Sequence, residues 1–434
     1  MSAFDKVIGY AAIKDELLRI CDYLKNEPEY SALGAKPPRG ILLHGDPGLG
    51  KTLMAECFVE ECGLYSVVIR KDKGEGSFVK YIRQCFKDAA AHAPAVVFLD
   101  DMDKFANEDS HHPNTDAYVA VQSCIDNTKN EKVFVIATVN DTDNLPYSLL
   151  RAGRFDHIIY VDAPTGKDAE EIIRHYLADK PVAEDIDCRE LSHILWKKSC
   201  ADLESVINAA AVFAGYQRKS KIDMDDMVEA ILNVVYHMPN SDYGNEIEER
   251  DAALHEAGHV VVSEILEPGS VSIATIRIRK SGTSGFVKSH EDTEYENKNR
   301  HEINWVISGL GGRAAIELCC GKLDPGAETD ISQAIDKIFD MVSSQGFAGF
   351  GYVDAERFSK PSSELHFVQE RKAQEILSEC YKYAISILHS NQEFLLAVAD
   401  ELYTKKSLDS RDVARIKEQF NITGCNISMA SLLR

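Results

Sequence analysis

The sequence lacks long hydrophobic runs, paired cysteine motifs and an excess of positive charge. No stretch of its 434 residues approaches about eighteen consecutive apolar residues, so no integral membrane segment is expected. The start, MSAFDKVIGY, has no cationic region followed by an apolar run, which argues against an export signal. The 11 cysteines are scattered without CxxC spacing, which favours reduced thiols in a cytoplasmic protein over a disulfide framework.

The charge balance also excludes a class of partner. The chain has 48 Lys and Arg residues against 70 Asp and Glu residues, a net charge of −22. An acidic surface repels phosphate backbones, so nucleic acid is not an expected partner. The length indicates two or three domains rather than one compact domain.

Short β-branched runs alternate with helical patterns between about residues 40 and 165. The runs are ILLHG, YSVVIR, AVVFLDD, VFVIATVN and IIYVDAP. This alternation predicts a doubly wound α/β domain with a parallel sheet. After VDAPTGKD the strand signals stop, and the following helical patterns predict a small lid. A polar segment then predicts a linker, and the rest is mainly helical except for the strand-like SVSIATIRIRKSGTSGFV. The predicted boundaries are 1–164 for the α/β part, 165–237 for the lid, 238–251 for the linker and 252–434 for the last domain.

The segment GDPGLGKT, residues 45 to 52, has the pattern G-x-x-x-x-G-K-S/T between a predicted strand and a predicted helix. Glycines let backbone N–H groups surround phosphates, Lys51 can reach the outer phosphates, and the Thr52 hydroxyl can ligate Mg²⁺. A glycine-rich turn without a ligand is the alternative, and the strand-to-helix context favours ATP. The predicted nucleotide-binding residues of this loop are Gly45, Asp46, Pro47, Gly48, Leu49, Gly50, Lys51 and Thr52.

Polar residues end two further predicted strands. Asp100 and Asp101 follow VVFL, and Asn140 follows VIATV. Nucleotides bind at the carboxyl edge of such sheets, so Asp100 suits Mg²⁺ coordination and Asp101 can polarise the attacking water. Asn140 can sense the γ-phosphate. Solvated acidic residues and a turn asparagine are the alternatives.

The segment LHEAGHVV contains H-E-x-x-H. On a helix, His255 and His259 lie on one face and can reach one cation, while Glu256 can act on a water at that metal without ligating it. Two core histidines are the alternative, but they do not explain a glutamate among small and apolar neighbours, where an unpaired charge is costly. A catalytic zinc needs a third protein ligand, and the residues alone leave Asp330 and Glu317 open.

The segment SLLRAGRFDHIIYVDAP is similar to the second region of homology of AAA-type ATPases. This resemblance implies that Arg151 and Arg154 are arginine fingers that reach the nucleotide of the next subunit. It also implies a ring, by resemblance a homo-hexamer. Without the resemblance, two surface arginines in a loop would be the simpler interpretation.

Nearly the whole chain resembles the cytosolic part of the FtsH-type ATP-dependent zinc metalloproteases. The resemblance extends from FDKVIGYAAIKDELLRICDYLKN through HEAGHVV and GLGGRAAIEL to GAETDISQAIDKIFDMV. It implies an α/β AAA-type P-loop ATPase domain with a helical lid, followed by a mainly α-helical zinc metallopeptidase domain. It further implies Asp330 as the third zinc ligand, Zn²⁺, ATP and Mg²⁺ as cofactors, and polypeptides as substrates. By the same resemblance, the segment SIATIRIRKSGTSGFV corresponds to the strand and loop beside the peptidase site. An extended substrate could pair with its exposed edge, or the segment could be ordinary sheet core.

The chain departs from that family in several places. The family is usually anchored in a membrane by N-terminal helices, whereas this chain begins at the ATPase, so soluble substrates are expected. The window RKDKGEGS, residues 70–77, lacks the aromatic pore-loop residue, and Phe78 beyond it has the spacing of a core residue. Asp101 stands where most relatives have glutamate, and Cys200 stands where they usually have glycine. These departures support an alternative function, a nucleotide-gated binding or remodelling ring with weakly coupled peptidase activity or none. A purely structural zinc is a third possibility.

Overall fold

The computed structural model describes residues 2–35, 38–71, 75–105, 116–238, 245–278, 284–290, 298–345, 363–425 and 427. The chain forms two compact units, Met1–Met227 and Val228–Arg434. Each is described by itself. None of the helices in the described ranges is long and apolar enough to span a bilayer.

The first unit contains a parallel sheet with the strand order β2-β3-β4-β1-β5. Its central strands are buried on both faces, which explains why VVFL and VFVIATV are continuous apolar runs rather than alternating ones. The predicted α/β fold is confirmed. The strands are β1 (Gly40–His44), β2 (Tyr65–Ile69), β3 (Ala95–Leu99), β4 (Val133–Val139) and β5 (His157–Tyr160).

Helices connect these strands and then form the lid. Phe78, which the sequence predicts to be a core residue, is buried in α4 together with Ile82 and Phe86, four and eight residues further on. Phe78 packs edge-on against Phe105 with ring centroids 4.9 Å apart, so it is a core residue. Residues 72–74 of the predicted pore window lie outside the described residues. The helices are α1 (Ala11–Lys25), α2 (Glu27–Ala32), α3 (Lys51–Cys62), α4 (Glu75–Ala91), α5 (Asp116–Asn127), α6 (Gly166–Leu177), α7 (Cys188–Ile194) and α8 (Cys200–Tyr216), and α9 (Met224–Val234) runs from the end of the first unit into the second.

The second unit is mainly helical, as predicted, and its small sheet has the order β7-β6-β8. The strand-like segment forms the antiparallel pair β6 and β7, with β7 at the edge of the described sheet. The strands are β6 (Val271–Ile278), β7 (Ser284–Ser289) and β8 (Ser407–Asp409). The helices are α10 (Glu246–Leu266), α11 (Lys298–Gly309), α12 (Gly311–Cys320), α13 (Glu328–Ser343), α14 (Ser363–Ser390), α15 (Gln392–Lys405) and α16 (Ser410–Lys417).

The helix that carries H-E-x-x-H starts earlier than expected. The Asn245 side chain accepts a hydrogen bond from the Ile247 N–H, and three glutamates occupy the first turn. Both features stabilise a helix N-terminus. The last part of the predicted linker 238–251 is therefore helical from Glu246, and residues 239–244 lie outside the described ranges. The predicted domain limits otherwise stay predictions.

Candidate functional site

The predicted phosphate loop connects β1 to α3. Gly48 and Gly50 have φ values of +79° and +84°, which other residues rarely adopt. The Lys51 Nζ donates hydrogen bonds of 2.7 Å to the carbonyl oxygens of Gly45 and Asp46, and one of 3.0 Å to the Asn140 Oδ1. Burial lowers the pKa of Lys51 from its usual value, although nearby aspartates oppose that shift. The structure therefore brings Lys51 and Asn140 together at the loop.

The start of α8 contacts this loop. A Cβ on Gly48 would lie 2.8 Å from the Ala201 Cβ, and the Ala201 N–H donates to the Gly48 carbonyl at 3.1 Å. Glycine is thus required at position 48 both for its φ and for this close approach. Cys200, the residue before Ala201, has its Sγ 3.5 Å from the Tyr10 hydroxyl oxygen.

Asp100 ends β3 as a buried carboxylate with three partners. Its Oδ1 accepts hydrogen bonds of 2.9 Å from the hydroxyls of Thr52 and Thr138. Its Oδ2 lies 2.6 Å from the Nε of Arg70, which follows β2. Thr52 and Asp100, the two predicted Mg²⁺ partners, are therefore adjacent. Arg70 was not predicted, because a single arginine after a strand belongs to no recognisable motif.

Asp101 differs from Asp100 in exposure and in partners. Its φ is +50°, and its backbone N–H donates to the Thr138 hydroxyl at 2.9 Å. Its carboxylate is more exposed and lies 2.6 Å from the Lys104 Nζ. A left-handed φ is uncommon for residues other than glycine, although aspartate adopts it more often than most. Asp101 therefore has a cation of its own chain as its nearest partner.

The two predicted finger arginines lie in the loop before β5 and differ in their partners. Arg154 forms a two-point ion pair with Asp126, with Nε–Oδ1 and Nη2–Oδ2 distances of 3.1 and 2.8 Å. It also donates to the Ser148 carbonyl. The Arg151 guanidinium lies 5.4 Å from the centre of the Tyr147 ring, and both residues are exposed. Arg151 is the more accessible of the two.

The histidines of H-E-x-x-H lie one turn apart in α10, and Asp330 comes from the first turn of α13. The distance between the two Nε2 atoms is 3.0 Å, and the Asp330 Oδ2 lies 3.2 Å from the His255 Nε2 and 3.4 Å from the His259 Nε2. Ligand atoms of a tetrahedral zinc with bonds of about 2.0–2.1 Å are separated by about 3.3 Å. The three predicted ligands therefore form a triangle that fits one zinc ion.

Glu256 lies beside this triangle and is only 6% exposed. Burial raises its pKa to about 7, although the two histidines oppose that shift. A Cβ on Gly285 of β7 would lie 2.1 Å from the Glu256 Oε1. The edge strand therefore approaches the carboxylate through a residue that has no side chain.

The imidazoles have different outer partners. The His255 Nδ1 lies 2.5 Å from the Asp324 Oδ2, and the His259 Nδ1 lies 2.7 Å from the Ser308 carbonyl oxygen. Burial opposes protonation of His255, but its hydrogen bonds with Asp324 and Asp330 raise its pKa to about 10. Carboxylates are thus in excess around the two imidazoles, and a divalent cation would balance that charge.

Sequence reasoning missed Asp324, because an aspartate before proline is typical of a turn. The other sequence candidate, Glu317, lies outside the triangle. Its Oε2 accepts a hydrogen bond of 2.6 Å from the Tyr381 hydroxyl. Of the two candidates, the structure therefore brings Asp330 to the histidines.

Glycines let α10 and α12 approach closely at the same place. A Cβ on Gly258 would lie 2.3 Å from the Gly311 carbonyl oxygen, and a Cβ on Gly312 would lie 2.5 Å from the His255 Cε1. The segment GLGG therefore fixes the backbone of α12 against the histidines.

The first unit thus has the phosphate loop and strand-end aspartate of a P-loop nucleoside triphosphatase. The second has two histidines, an aspartate and an adjacent glutamate in an arrangement that suits a zinc metallopeptidase. Together they define a nucleotide-dependent metalloprotease.

Comparison with known proteins agrees with this class. Residues 41–163 match the ATPase family associated with various cellular activities (AAA), and residues 244–416 match peptidase family M41. The chain is 32% identical to the ATP-dependent zinc metalloprotease FtsH of Caldicellulosiruptor bescii, over 95% of this chain and 71% of that protein. It is 29% identical to FtsH 2 of a Thermoanaerobacter species, over 96% and 83%. It is 31% identical to FtsH 2 of Symbiobacterium thermophilum, over 95% and 74%.

The chain belongs to the FtsH family of ATP-dependent zinc metalloproteases. The predicted order of an AAA ATPase followed by a zinc metallopeptidase is confirmed, and so are zinc and ATP with Mg²⁺ as its cofactors.

Proposed function

We propose that this chain hydrolyses peptide bonds of soluble or unfolded polypeptides, with His255, His259 and Asp330 as zinc ligands and Glu256 as general base. The observation that carries the proposal is the triangle of 3.0, 3.2 and 3.4 Å beside a buried carboxylate. Three protein ligands leave one position of a tetrahedral zinc open. Zinc would supply a Lewis acid that polarises the scissile carbonyl. Glu256 takes a proton from the attacking water and returns it to the leaving amine.

The nucleotide half of the proposal assigns ATP to the loop from Gly45 to Thr52. Lys51 binds the outer phosphates, Thr52 and Asp100 hold Mg²⁺, and Asn140 contacts the γ-phosphate. Asp101 orients the water that attacks the γ-phosphate. Hydrogen bonds join Lys51 to Asn140 and Thr52 to Asp100. They support these roles, because they hold the four side chains close together at one edge of the sheet.

The same proposal includes a homo-hexameric ring in the cytoplasm, in which Arg151 and Arg154 reach the nucleotide of the neighbouring subunit. Exposure of Arg151 supports this role. Arg154 would be held for it by Asp126. The net charge of −22 supports polypeptide rather than nucleic-acid partners. The proposed ring uses no integral membrane segment of this sequence. The domain limits proposed are 1–164, 165–237 and 252–434, with 238–251 between them.

A proteolysis assay tests the peptidase role. Purified protein is incubated with zinc, Mg²⁺, ATP and casein, and zinc content is measured on the same samples. Glu256→Gln is expected to abolish cleavage while the protein retains zinc, because the glutamate is not a ligand. Cleavage that is unchanged in this variant would refute the assigned base.

A second pair of variants tests the nucleotide role. Lys51→Ala is expected to abolish ATP binding and ATP-dependent cleavage. Lys87→Ala removes an exposed lysine of α4 and is expected to change neither. Cleavage that stays ATP-dependent in Lys51→Ala would contradict the assignment.

A second candidate function is a nucleotide-gated binding or remodelling ring whose peptidase is weakly coupled or silent. Two ion pairs favour it, because Arg70 and Lys104 neutralise the carboxylates of Asp100 and Asp101. These cations occupy the carboxylates that are proposed to hold Mg²⁺ and to orient the attacking water, so ATP turnover would be slow. Casein cleavage that proceeds equally without nucleotide would support this candidate, and cleavage that requires hydrolysable ATP would count against it.

A further inference from the structure

Asp324 contacts the zinc site from outside the H-E-x-x-H motif. It follows α12 and precedes the short 3-10 turn Pro325–Ala327, which leads into the helix of Asp330. The side chains of Asp324 and His255 are each 13% exposed, and their Oδ2 and Nδ1 atoms are 2.5 Å apart. We propose that Asp324 is a positioning residue, which fixes the tautomer and the ring orientation of His255 for zinc binding. This inference rests on the proposed role of His255 as a ligand.

The tautomer follows from the chemistry of the two partners. A carboxylate only accepts hydrogen bonds, so the His255 Nδ1 must carry the hydrogen. The lone pair of the neutral ring is then on Nε2. Nε2 is the atom that lies 3.0 Å from the His259 Nε2 and 3.2 Å from the Asp330 Oδ2. Asp324 therefore selects the one neutral form of His255 that can ligate a metal at the triangle.

The orientation of the ring is restricted from two sides. Asp324 holds Nδ1, and the backbone of Gly312 lies so close that a Cβ there would be 2.5 Å from the His255 Cε1. His259 has a different arrangement, since its Nδ1 faces the neutral Ser308 carbonyl. Among the residues that the structure describes, His255 is the one of the two histidines with an anionic partner at Nδ1, and such a partner increases the basicity of the ligating nitrogen.

A structural role for Asp324 is the competing explanation. Its other oxygen, Oδ1, accepts a hydrogen bond of 2.9 Å from the Gly326 N–H and so caps the turn. Asparagine would keep this cap, because its single side-chain oxygen can still accept from Gly326. Its NH₂ group would then face the His255 Nδ1, and because NH₂ only donates, the ring hydrogen would move to Nε2. Asp324→Asn therefore preserves the cap on the turn but removes the His255 tautomer that has its lone pair on Nε2.

The test compares zinc binding by the full chain and its variants. Zinc dissociation constants are measured by competition with a chromophoric chelator for wild type, Asp324→Asn, Asp324→Ala and Asp251→Asn. Asp251 is the matched control, since its carboxylate pairs with Lys322 near the same turn, whereas the partner of the His255 Nδ1 is Asp324. The thermal unfolding temperature of each zinc-free protein is measured in parallel.

The expected result is that Asp324→Asn weakens zinc binding roughly 10- to 100-fold, at least as much as Asp324→Ala does. Its unfolding temperature stays close to that of wild type. Cobalt(II) substitution gives a second readout, since the visible absorption bands of the Asn variant should shift with the altered ligand and those of Asp251→Asn should not.

Two outcomes would overturn the inference. One is wild-type zinc affinity in Asp324→Asn. The other is a loss of affinity in Asp324→Ala alone that parallels a lower unfolding temperature, because that is the signature of a cap. Failure of the wild-type chain to bind zinc would instead refute the ligand assignment itself, so the two proposals fail separately.

Discussion

The Nε of Arg70 lies 2.6 Å from the Oδ2 of Asp100, so an arginine of the same chain neutralises the carboxylate proposed to hold Mg²⁺. Asp100 is 5% exposed, and a buried carboxylate requires a cation or several donors. Arg70 and Mg²⁺ are therefore competing cations for one group.

Arg70→Ala is expected to lower the Mg²⁺ concentration for half-maximal ATP binding roughly fivefold, since a partly exposed ion pair contributes about 1 kcal/mol. A fluorescent ATP analogue titrated with Mg²⁺ measures this concentration. Arg83→Ala, which removes an exposed arginine of α4, serves as the control. A higher Mg²⁺ requirement in Arg70→Ala would show that Arg70 assists Mg²⁺ binding instead.

Gly285→Ala is expected to reduce peptidase activity about 100-fold, because displacement of a catalytic group by about 1 Å has an effect of that order. The new Cβ would lie 2.1 Å from the Glu256 Oε1, so the glutamate or the strand must move. Casein cleavage and zinc content are measured together, and zinc should remain bound. Gly269→Ala is the matched control, since it has a similarly positive φ and nothing within 4 Å of the added Cβ. Equal losses in both variants would point to backbone strain rather than contact with Glu256.

Gly258→Ala is expected to destabilise the second unit by about 3 kcal/mol or more, because its Cβ would lie 2.3 Å from the Gly311 carbonyl oxygen. Urea unfolding is followed by the fluorescence of Trp305 in a Trp196→Phe background, since the chain has only two tryptophans. Gly309→Ala adds the same methyl group at the end of α11, where nothing lies within 4 Å, and should not destabilise the unit. A neutral Gly258→Ala would mean that α10 and α12 can separate at little cost.

Glu229 should give the second unit a pH-dependent contribution to stability. Burial favours its neutral form, but the Arg277 guanidinium, at 3.0 and 2.6 Å, and the Asn233 amide hold the pKa of Glu229 below its usual value. A carboxylate with a lowered pKa stabilises the fold above the unfolded pKa of about 4.3, and this contribution disappears as the pH falls through the folded pKa. The unfolding free energy is compared between the Trp196→Phe protein and the same protein with Glu229→Gln. The difference should be constant from about pH 7 to 5.5 and shrink below about pH 4. A difference that grows on acidification would contradict the assignment.

The elements that the sequence predicts best are those with strong local patterns. The five parallel strands and the buried face of Phe78, Ile82 and Phe86 follow from periodicity, and the loop around Lys51 follows from a motif whose residues are adjacent in the chain. The outer partners of the sites have no such pattern. Asp324 is far from His255 in sequence, and Arg70 approaches Asp100 only because β2 and β3 are neighbours in the sheet. Such contacts depend on tertiary packing, which a single sequence does not reveal.

The zinc triangle joins two distant parts of the second unit. His259 lies in α10 and Asp330 in α13, and the chain between them forms β6, β7, α11 and α12. The three side chains are adjacent because this long loop is closed, and α10 packs against α12 at Gly258 and Gly311. A nascent or misfolded chain therefore has no assembled peptidase centre. Proteolytic activity therefore requires a correctly folded second unit, and the protein cannot cleave polypeptides before its own structure is complete.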